Sequence, residues 1–236
     1  ERVSAIACGY HNNLALTPAG RVFAWGWGQH GQLGHGDAED RFAPEPIAAL
    51  AHLRVVAIGC GDRHSFAVAA PRGAVYAWGS NEFGQLGFGA PKTVATSPAL
   101  LAPLAALHIV AISSGDKHTA ALTSAGAVYT WGCGIEGQCG HGEFTDHVPR
   151  PAEVVALRGH RVTAISCGHN FTMALTEKGE LFGWGNNSYG QLGRGESARK
   201  CEKSAEPGRV VVPGGRPVKG FAAAHFHCIL WLQEAG

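Results

Sequence analysis

The chain has 236 residues, a formal net charge of +1, and 45% hydrophobic against 16% charged residues. That balance argues against a nucleic-acid or membrane-surface partner, and the length suffices to bury a substantial core. Its 34 glycines follow no collagen period and so mean many tight turns between short strands. No apolar run approaches the roughly 20 residues of a membrane-spanning helix.

Residues 3–8, VSAIAC, alternate and stop at Gly9. A second apolar run, NLALT, covers 13–17, and the turn PAG leads to RVFAWG at 21–26. These read as three short strands. The turn GQLG from Gly31 follows, then a polar stretch, then the Pro-flanked segment APEPIAAL. The last predicts a fourth strand at a sheet edge, where Pro is tolerated. The plan then recurs as VVAIGCG, SFAVAA, AVYAWG; as IVAISSG, TAALT, AVYTWG; and as VTAISCG, TMALT, ELFGWG. Trp25, Trp78, Trp131 and Trp184 are 53 residues apart each time, and the turns from Gly31, Gly84, Gly137 and Gly190 keep the same spacing. A fifth copy, VKGFAAAHFHCILW from Val218, matches the first two strands. The repeat signatures occupy 3–36, 55–89, 109–142, 162–195 and, in part, 218–236. No segment holds a helical period; Ser97 to Leu107 comes closest and is broken by Pro98 and Pro103.

Four antiparallel strands per roughly 50-residue repeat, without a helix, predict an all-β fold, a β-propeller of four-stranded blades. Residues 1–236 then form a single propeller domain or a fragment of one. The strand-end Trp is expected to pack between neighbouring blades. Of the seven cysteines, Cys8, Cys60 and Cys167 share one repeat phase, held by Ser114 in the third copy. That reads as a small buried position and not a disulfide framework, in keeping with a reducing, intracellular compartment, cytoplasmic or nuclear. The N-terminus, ERVSAIACGY, has neither Met nor a signal pattern and reads as a cut inside a repeat.

The pattern V-x-x-I-x-x-G-x-x-H-x-x-A-L-T, then G-x-V-Y-x-W-G, then G-Q-L-G-x-G, resembles the regulator of chromosome condensation repeat over nearly the whole chain. The resemblance implies seven-bladed propellers. Members include a nucleotide exchange factor for a small nuclear GTPase, a plant ultraviolet-B photoreceptor and interaction platforms fused to other domains. Four repeats and a part fall short of seven blades, so the chain is expected to belong to a longer propeller, with remaining blades or fused domains as its covalent partners. A smaller closed ring, or a dimer that completes the circle, is the alternative.

The loop after the first strand reads GYHN at Gly9, GDRH at Gly61, GDKH at Gly115, GHNF at Gly168 and AHFH at Ala224. These turns are expected on one face near the axis, held by a rigid scaffold. In the exchange-factor member, such loops carry the acidic and His residues that touch the GTPase. By motif position Asp62, His64, Asp116 and His118 match, whereas Tyr10 and Asn12, and His169 and Phe171, replace the pair. The structural reading is that His64 and His118 satisfy backbone groups of their own turn. The variable His11, Arg63, Lys117 and Asn170 are expected to face a partner. The candidate partner-binding residues are therefore His11, Asp62, Arg63, His64, Asp116, Lys117, His118, His169 and Asn170.

Other motifs are set aside. G-x-G-x-x-G at Gly26 and at Gly132 follows a strand but opens no helix, which a dinucleotide site needs. Cys133, Cys139 and His141 lack a fourth ligand. No cofactor and no metal are expected. The exchange factor carries an inserted β-hairpin wedge, for which the 53-residue spacing leaves no room. The photoreceptor needs clustered Trp on one face, and only Trp27 is an additional Trp within the full repeats. Residues 194–219 hold seven basic and three acidic side chains. They read as a solvated blade connection, or as a basic patch for an acidic partner or for regulation. The expected function is a non-catalytic scaffold that binds another protein through its loop faces, the alternative being guanine nucleotide exchange on a small GTPase.

Overall fold

The computed structural model describes residues 1–91, 93–195 and 202–233. The first sheet holds β1 (Ala5–Cys8), β2 (Asn12–Leu16), β3 (Val22–Gly26) and β4 (Arg41–Pro46). The second holds β5 (Val55–Cys60), β6 (His64–Ala69), β7 (Ala74–Ser80) and β8 (Val94–Leu100). β9 (Ile109–Ser114), β10 (His118–Thr123), β11 (Val128–Gly134) and β12 (Thr145–Glu153) make the third. β13 (Val162–Cys167), β14 (Phe171–Thr176), β15 (Leu181–Asn186) and β16 (Lys203–Arg209) make the fourth. β17 (Val218–Ala223) and β18 (Cys228–Leu232) pair as a two-stranded fifth sheet. Each four-stranded sheet is an antiparallel meander in chain order. Among the described residues, the helical elements are three-residue 3-10 turns, such as Ala48–Leu50 and Ala102–Leu104, and no helix is long and apolar enough to cross a membrane.

The Pro-rich fourth strands lie at the sheet edge as expected, and their register shows why. The pairing of β3 with β4 slips between Ala24 and Gly26, and the later sheets slip at Ala77/Gly79, Thr130/Gly132 and Gly183/Gly185. Each slip skips the Trp on one strand and a Pro-bearing stretch on the other. A bulge at an edge requires no ladder N–H from Pro44, Pro98 or Pro207, so the ring costs nothing there.

Apolar clusters lie between successive sheets. Leu14 and Leu33 of the first sheet pack with Val55 and Trp78 of the second, and Phe66 and Leu86 with Ile109 and Trp131 of the next. Trp78, Trp131 and Trp184 are fully buried. Each indole N–H donates to the backbone carbonyl of the turn Gln in the preceding blade: Trp78 to Gln32 at 2.9 Å, Trp131 to Gln85 at 2.8 Å, Trp184 to Gln138 at 2.9 Å. The Gln side chain serves its own turn, as where Gln85 Oε1 accepts from the Phe83 N–H at 2.8 Å. Leu33, Leu86 and Leu192, with Cys139 in the third copy, bury the next position. Cys139 is thus an apolar stand-in for Leu. Trp25 has no blade before it among the described residues and is only half-buried.

The second glycine of the first three turns, Gly34, Gly87 and Gly140, forms the seat for the next blade's indole. Gly140 has φ +76°, and a Cβ there would stand 2.6 Å from Trp184 Nε1. Gly159, at φ +85°, has nothing within 4 Å of the same added atom. Gly159→Ala should therefore cost only the left-handed penalty, about 1 kcal/mol. Gly140→Ala should cost about 3 kcal/mol, because the indole must also shift. Urea denaturation of the two variants checks this; equal losses would mean that the seat does not matter.

Candidate functional site

The loops between first and second strands close in the same way in every copy. The first residue's N–H donates to the fourth residue's carbonyl: Gly9 to Asn12 at 2.8 Å, Gly61 to His64 at 2.8 Å, Gly115 to His118 and Gly168 to Phe171 at 2.9 Å, Ala224 to His227 at 2.9 Å. Neighbouring loops are also joined, the Asp116 N–H donating to the His169 carbonyl and the His169 N–H to the His225 carbonyl, both at 3.0 Å. The tight turn directs the second residue of each loop inwards. Tyr10, Asp62, Asp116, His169 and His225 line one axial cavity of about 340 Å³. The turns do gather around the axis, as the repeat phase implied.

Within that cavity His169 Nε2 lies 3.3 Å from Asp116 Oδ2. Burial pushes the Asp116 carboxyl above the usual range, with Asp62 adding to the rise and His169 and Lys117 opposing it. Burial also holds His169 below the ordinary imidazole value, against the pull of Asp116. Low dielectric disfavours either charge. Arg63 Nε lies 3.3 Å from Asp62 Oδ2, and Lys117 Nζ lies 3.9 Å from Asp116 Oδ2. Asp62 Oδ1 and His169 Nδ1 are buried without a hydrogen-bond partner. Beneath the loops, burial pushes the Cys60 and Cys167 thiols up to about 12, which leaves them unreactive at neutral pH. The described cysteines are all free; Cys201 lies outside the described residues. Cys8 is exposed, not buried as its phase suggested, because no sheet packs on that side of β1 among the described residues.

The third residue of each loop points outwards. His11 is exposed, Asn170 half-buried, and the Arg63 and Lys117 side chains are 42% and 40% exposed. Both cations cover aromatic rings of the preceding blade, Arg63 over Trp27 at 5.7 Å and Lys117 over Phe83 at 4.7 Å.

His64 and His118 do not reach this face. Both are fully buried, and each bonds the next blade instead of its own turn: His64 Nε2 to Thr119 Oγ1 at 3.1 Å, His118 Nε2 to Thr172 Oγ1 at 2.9 Å. Those hydroxyls donate in turn to the Gln85 and Gln138 carbonyls that receive the Trp N–H. A Cβ on Gly61 would stand 2.1 Å from His64 Cε1, so the ring needs glycine above it. Burial holds both imidazoles down to about 3, hence neutral. In the first junction Asn12 Nδ2 bonds Ser65 Oγ at 3.1 Å in the same way. In the fourth, Phe171 replaces the His and Cys228 the hydroxyl, an apolar pair in one cluster. The partner-binding expectation for His64 and His118 therefore does not survive their burial. Sequence reasoning missed Ser65, Thr119 and Thr172; a hydroxyl at one phase of otherwise apolar strands was the available signal.

The basic stretch also has local work. Its residues 196–201 lie outside the described residues. Arg194 bonds Ser204 and the Gly183 and Glu206 carbonyls, Arg209 pairs with Glu180, and Lys203 bonds the Ile135 carbonyl. Among the described residues no group of His, Cys, Asp or Glu is placed to hold a metal ion.

Antiparallel four-stranded sheets packed face to face, with their first loops ringed around an axial cavity, define a β-propeller assembly. The RCC1-like domain model matches residues 1–235, and the chain belongs to that family. It is 36% identical to the ultraviolet-B receptor UVR8 of Arabidopsis thaliana, over 97% of this chain and 51% of the receptor. It is 35% identical to the probable E3 ubiquitin-protein ligase HERC4 of Mus musculus, over 100% of this chain and 22% of that protein. It thus spans about half of one relative and about a fifth of the other. Human WBSCR16 superposes with a TM-score of 0.88 at 28% identity, over 99% of this chain and 58% of that one. Prp20p of Saccharomyces cerevisiae, described with its binding to Gsp1p and histones, superposes at 0.85 with 22% identity, over 99% and 56%, a likeness of fold alone.

Proposed function

We propose that the chain is a non-catalytic propeller module, within residues 1–236, that binds another protein through the face bearing its first loops. One observation carries this reading. Equivalent turns of separate sheets bring Tyr10, Asp62, Asp116, His169 and His225 to a single cavity, with His11, Arg63, Lys117 and Asn170 around it. The turns are closed by backbone bonds, so little loop entropy is lost when a partner docks. Arg63→Glu with Lys117→Glu is expected to weaken capture of a purified partner at least tenfold, two exposed charges being reversed at the rim. Lys178→Glu, in the β14–β15 turn on the opposite face, should leave capture unchanged. Equal capture by all three proteins would exclude the loop face as the interface.

The second reading is nucleotide exchange on a small GTPase. Asp62 and Asp116 support it, since they occupy the matching loop positions and line the cavity. The four complete sheets hold no inserted hairpin among the described residues, which counts against it. A panel of small GTPases loaded with fluorescent guanine nucleotide decides; no acceleration of release removes the reading, which fold likeness alone does not carry.

A further inference from the structure

Successive blade junctions carry equivalent positions on the loop face, and their differences are informative. The residue before each GQLG-type turn is His30, Phe83, Glu136 or Tyr189. The third loop residue of the following copy is Arg63, Lys117, Asn170 or Phe226. In the first junction Arg63 covers Trp27, itself edge-on to His30 at 4.9 Å. In the second Lys117 covers Phe83. The third is a polar junction, where Asn186 Nδ2 bonds Glu136 Oε2 at 3.0 Å and Gln138 Nε2 bonds Asn170 Oδ1 at 3.5 Å. In two junctions, then, the chain caps its own aromatic ring with a cation.

The fourth junction has the rings and, among the described residues, no internal cation over them. Tyr189 and Phe226 stand 5.3 Å apart at 55°, and His169 lies 5.4 Å from Phe226. Tyr189 is 74% and Phe226 44% exposed. Between them opens a cleft of about 240 Å³, lined also by Asn170, Asn186 and Ser188. Two carboxylates stand one hydrogen bond behind that lining, Glu136 through Asn186 and Asp116 through His169. Ring faces, side-chain oxygens and nearby negative charge suit a planar cation with several N–H donors.

We infer that the cleft between Tyr189 and Phe226 receives an arginine side chain of a partner protein, in the place that Arg63 and Lys117 fill internally at the earlier junctions. The inference rests on this face being a partner surface and names the chemistry of one contact on it. A guanidinium stacks on the rings and donates to the Asn170 amide and Ser188 hydroxyl oxygens, the Asn186 oxygen already accepting from the Ser188 N–H and Gln191 Nε2; an ammonium makes the first contact but lacks the fork for the second.

The test titrates the chain with acetyl-Gly-Arg-Gly-amide and follows backbone amide shifts by NMR. Saturable shifts confined to residues 186–190 and 225–227 are expected. A citrulline peptide keeps the shape and loses the charge, and should bind at least about fivefold more weakly. Phe226→Lys places an internal cation where Arg63 and Lys117 stand in the earlier junctions and should abolish binding with the fold intact. Tyr189→Ala, at a side chain mostly in solvent, should also abolish it and serves if the lysine variant does not fold. No saturable shift, equal binding of citrulline, or binding retained in the folded variants would each overturn the inference. Loss of partner capture on reversing Arg63 and Lys117, alongside failure of the peptide titration, would leave the partner face standing and remove this contact alone.

Discussion

Trp131→Ala should destabilise the chain by about 3–5 kcal/mol, the range for truncating a fully buried aromatic. Three contributions act together. The indole is completely buried between the second and third sheets. It stands edge-on to Phe66 at 5.9 Å, a favourable aromatic geometry. Its N–H donates to the Gln85 carbonyl, which also accepts from Thr119 Oγ1 at 3.1 Å and so is not orphaned by the substitution. The loss is therefore mainly one of packing. Trp25→Ala provides the comparison. Trp25 holds the same repeat position but is half-buried, and its truncation should cost less than half as much, about 1–2 kcal/mol. Urea denaturation of both variants measures the difference. Equal losses would show that the Trp stabilises its own blade and not the junction. Repeat architectures unfold with nearest-neighbour coupling, so the Trp131 variant should also broaden the transition by separating the halves on either side of its junction.

Acidification should weaken the fold well before carboxylates titrate. His64 and His118 lie at about 3 in the folded chain against 6.5 when unperturbed. Their folded values are depressed, so below 6.5 the unfolded chain takes up protons that the folded chain refuses. The stability they carry is whole above pH 7 and falls as pH drops from 6.5 towards 3. Each contributes about 1.4 kcal/mol per pH unit in that window, roughly 3 kcal/mol per unit for the pair. The physical cause is burial: charging either ring puts a cation between packed blades, and the neighbouring hydroxyls, with the His118 backbone beside His64, do not offset that. The first junction provides a non-titrating substitute, because Asn12 makes the equivalent bond to Ser65. His64→Asn with His118→Asn should flatten most of the loss between pH 7 and 5. His30, His141 and His169 are also held below the ordinary value by burial, and their share remains in both proteins. Parallel loss of thermal stability in the parent and the double variant would exclude the two buried rings as its source.

Much of the fold was legible because each blade is built from contacts close in sequence. Alternation set the strands, Gly and Gln set the turns, and the Trp spacing counted the blades. Even the edge position of the fourth strand followed from its prolines. The loop residues were harder. Asp62 and His64 share one loop and one motif, yet Asp62 lines the axial cavity while His64 is sealed between sheets. Spacing cannot separate them, since the outcome depends on where the next sheet stands. Thr119 explains His64 and Cys228 accompanies Phe171, and in each case the partner lies in the next copy.

By itself, then, the sequence determined the repeat, the meander within each blade and the ring of equivalent loops, because local periodicity and turn chemistry act within about 50 residues. The tertiary structure alone decided which loop side chains face the axis, a partner or the next blade. It also left Tyr189 and Phe226, among the described residues, without the cation that Trp27 and Phe83 have. Those outcomes come from the packing of neighbouring sheets, which brings together residues of separate repeats that no spacing along one strand can relate.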